Sequence, residues 1–296
     1  MIDDKLRKKV SCDIQEFKEK IVIPYIINYG DIESFYQDIL TNEPLTFNTN
    51  GCTMVKTLLT TTIIPNYIMG TKQYRSLADE CNRIGDKLSN VIYDTDTHNL
   101  LIKLHHEIYK RITYEEFTHA HSIVGPLLYK KGVCEGISKM VNYICEMNEI
   151  DSKVMIGELE GKGPHAWNQI KIDEEWYNAD FTLDLTTSDN KHELFDNFLV
   201  DDKTISKTHI FESRSNRCDS SRYDSIYRGP PLRNSIEVRK AIADGIKLNK
   251  RTINLTIVNA EKHLSDIEKI MNQELQSQNY SWIHPENTDY IHIFIE

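Results

Sequence analysis

The sequence predicts an α+β chain, and three observations carry that prediction. After "YKKGVCEGIS", the residues Ile137, Met140, Val141, Ile144 and Cys145 follow the 3.6-residue spacing of a helix with one apolar face. Two alternating runs, "HAWNQIKI" and "EWYNAD", flank a turn near Asp173 to Glu175 and read as a β-hairpin. Beyond "YRGPPLRN", helix, strand, helix and strand patterns succeed one another to the C-terminus.

In chain order, residues 1–90 read as mostly helical, with polar breaks such as "TNEPLTFNTNG" (Thr41 to Gly51) and no motif that carries chemistry. Residues 91–228 hold the hairpin and the cysteine. Within them, "DTHNLLIKLHHEIYKRITY" places Leu101, Leu104, Ile108 and Ile112 on one helical face. His105 and His106 are adjacent, so they are expected to point to different sides of that helix as packing or surface residues. A metal pair on one helix would sit at i, i+3 or i, i+4. The Gly-Pro-Pro break of "YRGPPLRN" (Tyr227 to Asn234) reads as a linker.

Residues 229–296 read as a small α+β accessory domain. Asn234 and Glu237 form a capping pair for a helix over 235–247, with Val238, Ala241, Ile242 and Ile246 on one face. "RTINLTIV" alternates, with Ile253, Leu255 and Ile257 on one side. Leu264, Ile267, Met271 and Leu275 make a second helical stripe, and "YIHIFIE" closes with Ile291, Ile293 and Ile295 in alternation.

A chain of 296 residues, 40% hydrophobic and 27% charged, suits a packed core rather than disorder. Its formal net charge of −10 argues against a nucleic-acid partner, because phosphate binding needs a basic footprint. The stretch "MIDDKLRKKVSCDIQEF" mixes both charges and has no apolar core. The longest apolar run, "IVIPYIINY" (Ile21 to Tyr29), contains a proline and is too short to span a bilayer. The expectation is a cytoplasmic protein without a membrane partner. Cys12, Cys52, Cys81, Cys134, Cys145 and Cys218 form no C-x-x-C pair and fit no zinc module, so free thiols are expected.

Cys134 departs from the ordinary buried cysteine. "KKGVCEG" is a poor helix interior, and the helical pattern starts at Ile137, so Cys134 lies at or just before a helix N-terminus. The unpaired N–H groups and the helix dipole there favour a thiolate. Gly132 and Gly136 let backbone and substrate approach closely. The Cys134 backbone N–H is a candidate oxyanion donor.

Such a nucleophile needs a base. His165, Trp167 and Gln169 share one face of the first hairpin strand. With the turn centred near residue 173, His165 and Asp180 are expected almost directly opposed, their Cβ atoms about 5 Å apart. Asp180 would hold the imidazole and fix its tautomer, and His165 would take the thiol proton.

The blocks "GVCEGIS" and "HAWNQIKIDEEWYNADFTLD" closely resemble the bacterial transglutaminase-like cysteine enzymes, whose pattern runs G-V-C-x-G-Y-A, then H-A-W-N, then W-Y-x-V-D-x-T-W-D. The likeness extends from about Leu100 to Tyr223. "HSIVGPLLYKKGVC" is similar to the family's lead-in to the nucleophile, and "NFLVDDKTISKTHI" to its later F-x-x-S-D…H stretch. The resemblance implies a papain-like, transglutaminase-like core: a helix carrying the cysteine, packed on an antiparallel sheet carrying His and Asp. It implies Cys134 as nucleophile, His165 as base and Asp180 as orienter. Ile137 stands where the family has an aromatic, and Leu183 where it has the tryptophan of T-W-D.

For a second oxyanion donor, a side chain ahead of the cysteine is expected, with Ser122 and Tyr129 as candidates. Trp167 is expected to shield the site, stack on substrate or pack in the core. Asp184 is expected to be structural or exposed. The implied activity is acyl transfer at a peptide or protein amide through a thioester, with hydrolysis (a protease, peptidase, amidase or deamidase) ahead of transglutaminase cross-linking and of a binding module on the same fold. No calcium loop of the form D-x-[DN]-x-[DN]-G is present, and no metal or cofactor is expected.

Overall fold

The structure, a computed structural model, describes residues 4–212, 216–276, 278–285 and 288–296. The first segment runs α1 (Asp4–Gln15), β1 (Ile21–Ile23), α2 (Tyr29–Asn42), β2 (Thr49–Lys56) and β3 (Thr61–Tyr67). Its strands pair antiparallel with β3 in the centre. Val10, Ile14, Ile23, Ile32, Ile39 and Ile63 form its core. The sequence reading did not foresee this sheet between the helices of residues 1–90. Asn50, Gly51 and Pro65 interrupt the alternation that marks a strand. Pro65 lies beyond the end of β1, where β3 has a free edge that tolerates a missing N–H.

The middle segment comprises α3 (Thr71–Ile92), α4 (Thr97–Arg111), β4 (Thr113–Tyr114), β5 (Lys131–Gly132), α5 (Cys134–Met147), β6 (Ser152–Leu159), β7 (Gly163–Ile172), β8 (Glu175–Ala179), α6 (Phe181–Thr187), α7 (Asp202–Ile205), β9 (His209–Phe211) and α8 (Asp224–Tyr227). Its antiparallel sheet has the order β8-β7-β6-β9. Helix α5 buries Ile137, Met140, Val141 and Ile144 in a core shared with Ile170 and Tyr177 of that sheet and packs against β7, β6 and α3. Burying each such side chain is worth about 1.5–3 kcal/mol. Strand β7 is buried continuously from His165 to Ile170, which fixes its side chains on both faces. The boundary expected near residue 90 falls inside α3, whose Cys81, Ile84, Leu88 and Ile92 pack into this middle core.

The last segment runs β10 (Pro231–Leu232), α9 (Ser235–Lys247), β11 (Thr252–Ile257), α10 (Leu264–Glu274), β12 (Tyr280–Ile283) and β13 (Tyr290–Ile295), with sheet order β10-β11-β13-β12. Asn234 caps α9 by accepting from the Ile236 and Glu237 N–H groups at 3.1 and 3.0 Å. The Glu237 carboxylate reaches back to the Arg233 N–H at 2.7 Å. Strand β12 carries no alternation in burial and was not legible as a strand.

Polar clamps tie the segments together. Asn42, the last residue of α2, accepts from Asn142 on α5 through its carbonyl at 3.1 Å and from the Val154 N–H on β6 through its side chain at 2.8 Å. On β13 the residues between the core isoleucines, buried His292 and half-buried Phe294, dock on the middle segment. His292 Nε2 lies 3.1 Å from Asp196 Oδ2, and Phe294 stacks on His192 at 3.6 Å between centroids. Among the described residues, no helix is long and apolar enough to cross a membrane.

Candidate active site

Cys134 is the first residue of α5 and is partly exposed. The N-cap residue is Val133, in extended geometry with φ −106° and ψ −179°, and it offers no side-chain acceptor. The first-turn N–H groups are therefore uncapped by their own helix and available to a thiolate or an oxyanion. Gly136 serves a different purpose from the one expected. A Cβ there would fall 2.0 Å from the Ala120 carbonyl oxygen. The close approach is made by the chain's own loop, whose Ala120 carbonyl also accepts from the Val133 N–H at 3.2 Å.

His165 projects from β7 and is buried, with Nε2 2.7 Å from Asp180 Oδ2. The register differs from the expectation. Asp173 and Glu174 make a two-residue turn with positive φ, so Asn168 pairs with Ala179 and Asp180 stands past the end of β8, level with Trp167. His165 and Asp180 meet as diagonal neighbours on one face rather than directly opposite.

Asp180 is fully buried and its acceptor sites are filled. Oδ1 caps α6, accepting from the Thr182 and Leu183 N–H groups at 3.0 and 2.9 Å. Oδ2 accepts from His165 Nε2 and from His209 Nε2, the latter at 3.0 Å. Burial alone would raise this carboxyl, but the two imidazoles hold it far below the usual carboxylate range. For His165, burial disfavours the cation, but the Asp180 carboxylate and then the adjacent Cys134 sulfur outweigh it and raise the imidazole to about 10. With Nε2 committed to Asp180, Nδ1 is the nitrogen left for the thiol.

The structure thus brings Cys134, His165 and Asp180 together. The other expected site residues fare differently. Ser122 donates its hydroxyl to the His119 carbonyl at 3.2 Å, in the loop that covers Gly136. Tyr129 is half exposed and stacks on His119 at 5.6 Å. Trp167 is fully buried, so it cannot stack on substrate. It packs edge-on against His209 at 4.9 Å and Phe211 at 5.0 Å, with its indole N–H on Asn178 Oδ1 at 3.3 Å.

Two residues escaped the sequence. Tyr114, half exposed on β4, lies beside Cys134, and burial together with the cysteine sulfur raises its phenol. It arrives through a two-residue parallel pairing, Thr113 with Lys131 and Tyr114 with Gly132, which leaves no periodic trace. His209 is fixed by Thr208, whose Oγ1 lies 2.9 Å from Nδ1. Its only signal was the "TISKTHI" likeness.

A second buried network braces α6. Asp184, one turn after Asp180, accepts from the Asn197 N–H at 2.8 Å, and Asn197 in turn accepts the Asp180 N–H at 2.9 Å. His105 joins it, with Nε2 3.2 Å from Asp184 and Nδ1 2.6 Å from Glu193. His106 also reaches Glu193, at 2.7 Å, so the two adjacent histidines converge on one carboxylate rather than diverging. Burial pushes Asp184 up to about 6, and the two acids raise His105 against its own burial. Replacing His105 with alanine removes the imidazole shared by the buried Asp184 and the partly buried Glu193. Urea denaturation is expected to show a loss of roughly 3–5 kcal/mol. A loss below about 1 kcal/mol would mean the network is dispensable.

Among the described residues, one group has the composition of a metal site: His165, Asp180 and His209, with ligand atoms within 4.8 Å of one another. Both imidazole Nε2 atoms already address Asp180 Oδ2 at hydrogen-bond distance, which is the geometry of an orienting carboxylate rather than of an ion cage.

Residues 87–181 match the family model of the transglutaminase-like superfamily core. No match was found among curated proteins. Among solved structures, the chain is similar to a transglutaminase, with 12% identity, 73% of this chain and 59% of that one covered, and a TM-score of 0.35. It is also similar to a candidate cysteine protease from Cytophaga hutchinsonii, with 16% identity, 42% and 51% covered, and a TM-score of 0.30. The periplasmic domain of TgpA from Pseudomonas aeruginosa matches with 16% identity, 42% and 55% covered, and a TM-score of 0.29. The chain therefore spans between half and three fifths of the length of these relatives.

Proposed function

We propose that this chain performs acyl transfer at a peptide or protein amide, with Cys134 as nucleophile, His165 as base and Asp180 as orienter, a reading supported by the match of residues 87–181 to the transglutaminase-like superfamily. The observation that carries the reading is the buried His165–Asp180 hydrogen bond of 2.7 Å set beside a cysteine at an uncapped helix N-terminus.

In the proposed cycle the Cys134 thiolate attacks the amide carbonyl, forming a C–S bond and an oxyanion. The Cys134 N–H and the nearby Tyr114 hydroxyl would donate to that charge. Collapse breaks the C–N bond, and the His165 imidazolium gives its proton to the departing amine. The neutral His165 then deprotonates water, which attacks the thioester and releases acid and thiolate. Water is taken as the acceptor because Cys134 is partly exposed and Tyr114 half exposed, so the thioester stands open to solvent.

The test is the alkylation rate of each cysteine against pH, read by mass spectrometry. Cys134 is expected to react at least tenfold faster than the other five below pH 7, an advantage that His165→Ala removes. A Cys134 that reacts no faster than exposed Cys12 would defeat the catalytic reading. Lysine-adduct products from peptide amides, in place of free acid, would move the acceptor from water to amine.

A further inference from the structure

We propose that the cleft between the first segment and the nucleophile helix is the subsite for an apolar side chain flanking the reacting amide of an extended peptide. The inference rests on Cys134 as nucleophile and adds the substrate class. The cleft has a volume of about 470 Å³, inside the usual range of ligand sites of roughly 300–1,000 Å³ and larger than a single side chain needs.

Its position argues for substrate. Glu135, the residue after Cys134, forms part of one wall together with Lys139 from the next turn of α5. Ser122 completes that wall from the loop that covers Gly136. The cleft is thus continuous with the start of the nucleophile helix. The opposite wall comes from the first segment, where Leu40, Phe47 and Met69 form an apolar patch among neutral polar residues such as Gln37 and Asn50.

Its charge argues for an apolar occupant. The Glu135 carboxylate is already held by Lys139 Nζ at 2.6 Å and by His121 Nδ1 at 2.8 Å. Glu135, Lys139 and His121 are therefore paired with one another, and a charged side chain entering the cleft would lose hydration without gaining an oppositely charged partner from them. An apolar side chain loses nothing of the kind and gains contact with Leu40, Phe47 and Met69. The clamps from Asn42 to Asn142 and Val154 hold the two walls at a fixed separation, so the cleft is preformed.

The experiment uses the full chain and two thiol-reactive peptides, acetyl-glycyl-leucyl vinyl sulfone and its aspartyl counterpart, with the labelling rate of Cys134 read by mass spectrometry. The leucyl probe is expected to label at least tenfold faster than the aspartyl one. Met69 sits in an irregular stretch after β3 and is partly exposed, so Met69→Lys leaves the core intact. It is expected to lower the leucyl-to-aspartyl ratio at least fivefold, and Met69→Leu to restore it. Equal rates for the two probes, or an unchanged ratio in Met69→Lys, would overturn the subsite while leaving Cys134 as nucleophile. If Cys134 shows no advantage over the other cysteines toward iodoacetamide either, the catalytic reading fails and the subsite falls with it.

Discussion

Asp180→Ala is expected to lower kcat/KM for amide hydrolysis by roughly 10³- to 10⁴-fold, the scale seen when an orienting acid is lost from a catalytic triad. The size follows from how much converges on one side chain. Asp180 Oδ2 holds His165 and His209, and Oδ1 caps α6. Alanine frees the ring to rotate, removes the charge that sustains the imidazolium and uncaps the helix. Asp180→Asn separates these losses. The amide is nearly the same shape, yet its NH₂ must face either the two imidazole donors or the two backbone N–H groups. A near-native fold with a large fall in rate is therefore expected for Asn. A rate within tenfold of the parent in both variants would remove Asp180 from the mechanism.

The same pair shapes the pH dependence of stability. His165 is raised to about 10, so its contribution is complete below its ordinary value of roughly 6.5 and is lost as pH climbs through the folded value. Asp180 is depressed, so its contribution is complete above its ordinary value of roughly 4 and is lost as pH falls toward the folded value. Stability from this pair is expected to plateau between those ordinary values. In Asp180→Ala both limbs flatten, a change that denaturation at several pH values would register.

Gly136→Ala is expected to destabilise the fold by roughly 3 kcal/mol and to abolish the special reactivity of Cys134. On helix propensity alone the change would be favourable, by about 1 kcal/mol. Sterics win because the new Cβ would lie 2.0 Å from the Ala120 carbonyl, a backbone atom that cannot rotate aside. Relief requires the loop to lift, and the loop holds the Val133 N–H that fixes the approach to Cys134. The measurement is a paired one: chemical denaturation, and iodoacetamide labelling of Cys134 in the folded range. A variant as stable and as reactive as the parent would show that the loop position does not matter.

Which parts of this molecule were legible follows from how each is built. Cys134, His165 and Asp180 stand inside strong local signals: a glycine-flanked helix start and a hairpin of alternating residues. The one-residue error in the turn centre moved Asp180 from opposite His165 to a diagonal position, but left it on the same face, because the strand period is two. Asn234 and Glu237 announced α9 through local capping chemistry. Tyr114 and His209 depend on a two-residue pairing and a three-residue edge strand, which are too short to leave a pattern. The first-segment sheet was hidden by Gly51 and Pro65, and the convergence of His105 and His106 on Glu193 depends on a loop far away in sequence.

The sharing of Asp180 between helix cap and imidazole has a consequence for the order in which the candidate site is assembled. During synthesis the cysteine emerges first, then the histidine, then the acid, and His209 last. Until α6 has wound onto Asp180 and β9 has joined the sheet, His165 lacks the neighbour that orients and charges it. Cys134 is therefore expected to remain an ordinary thiol until those elements are in place.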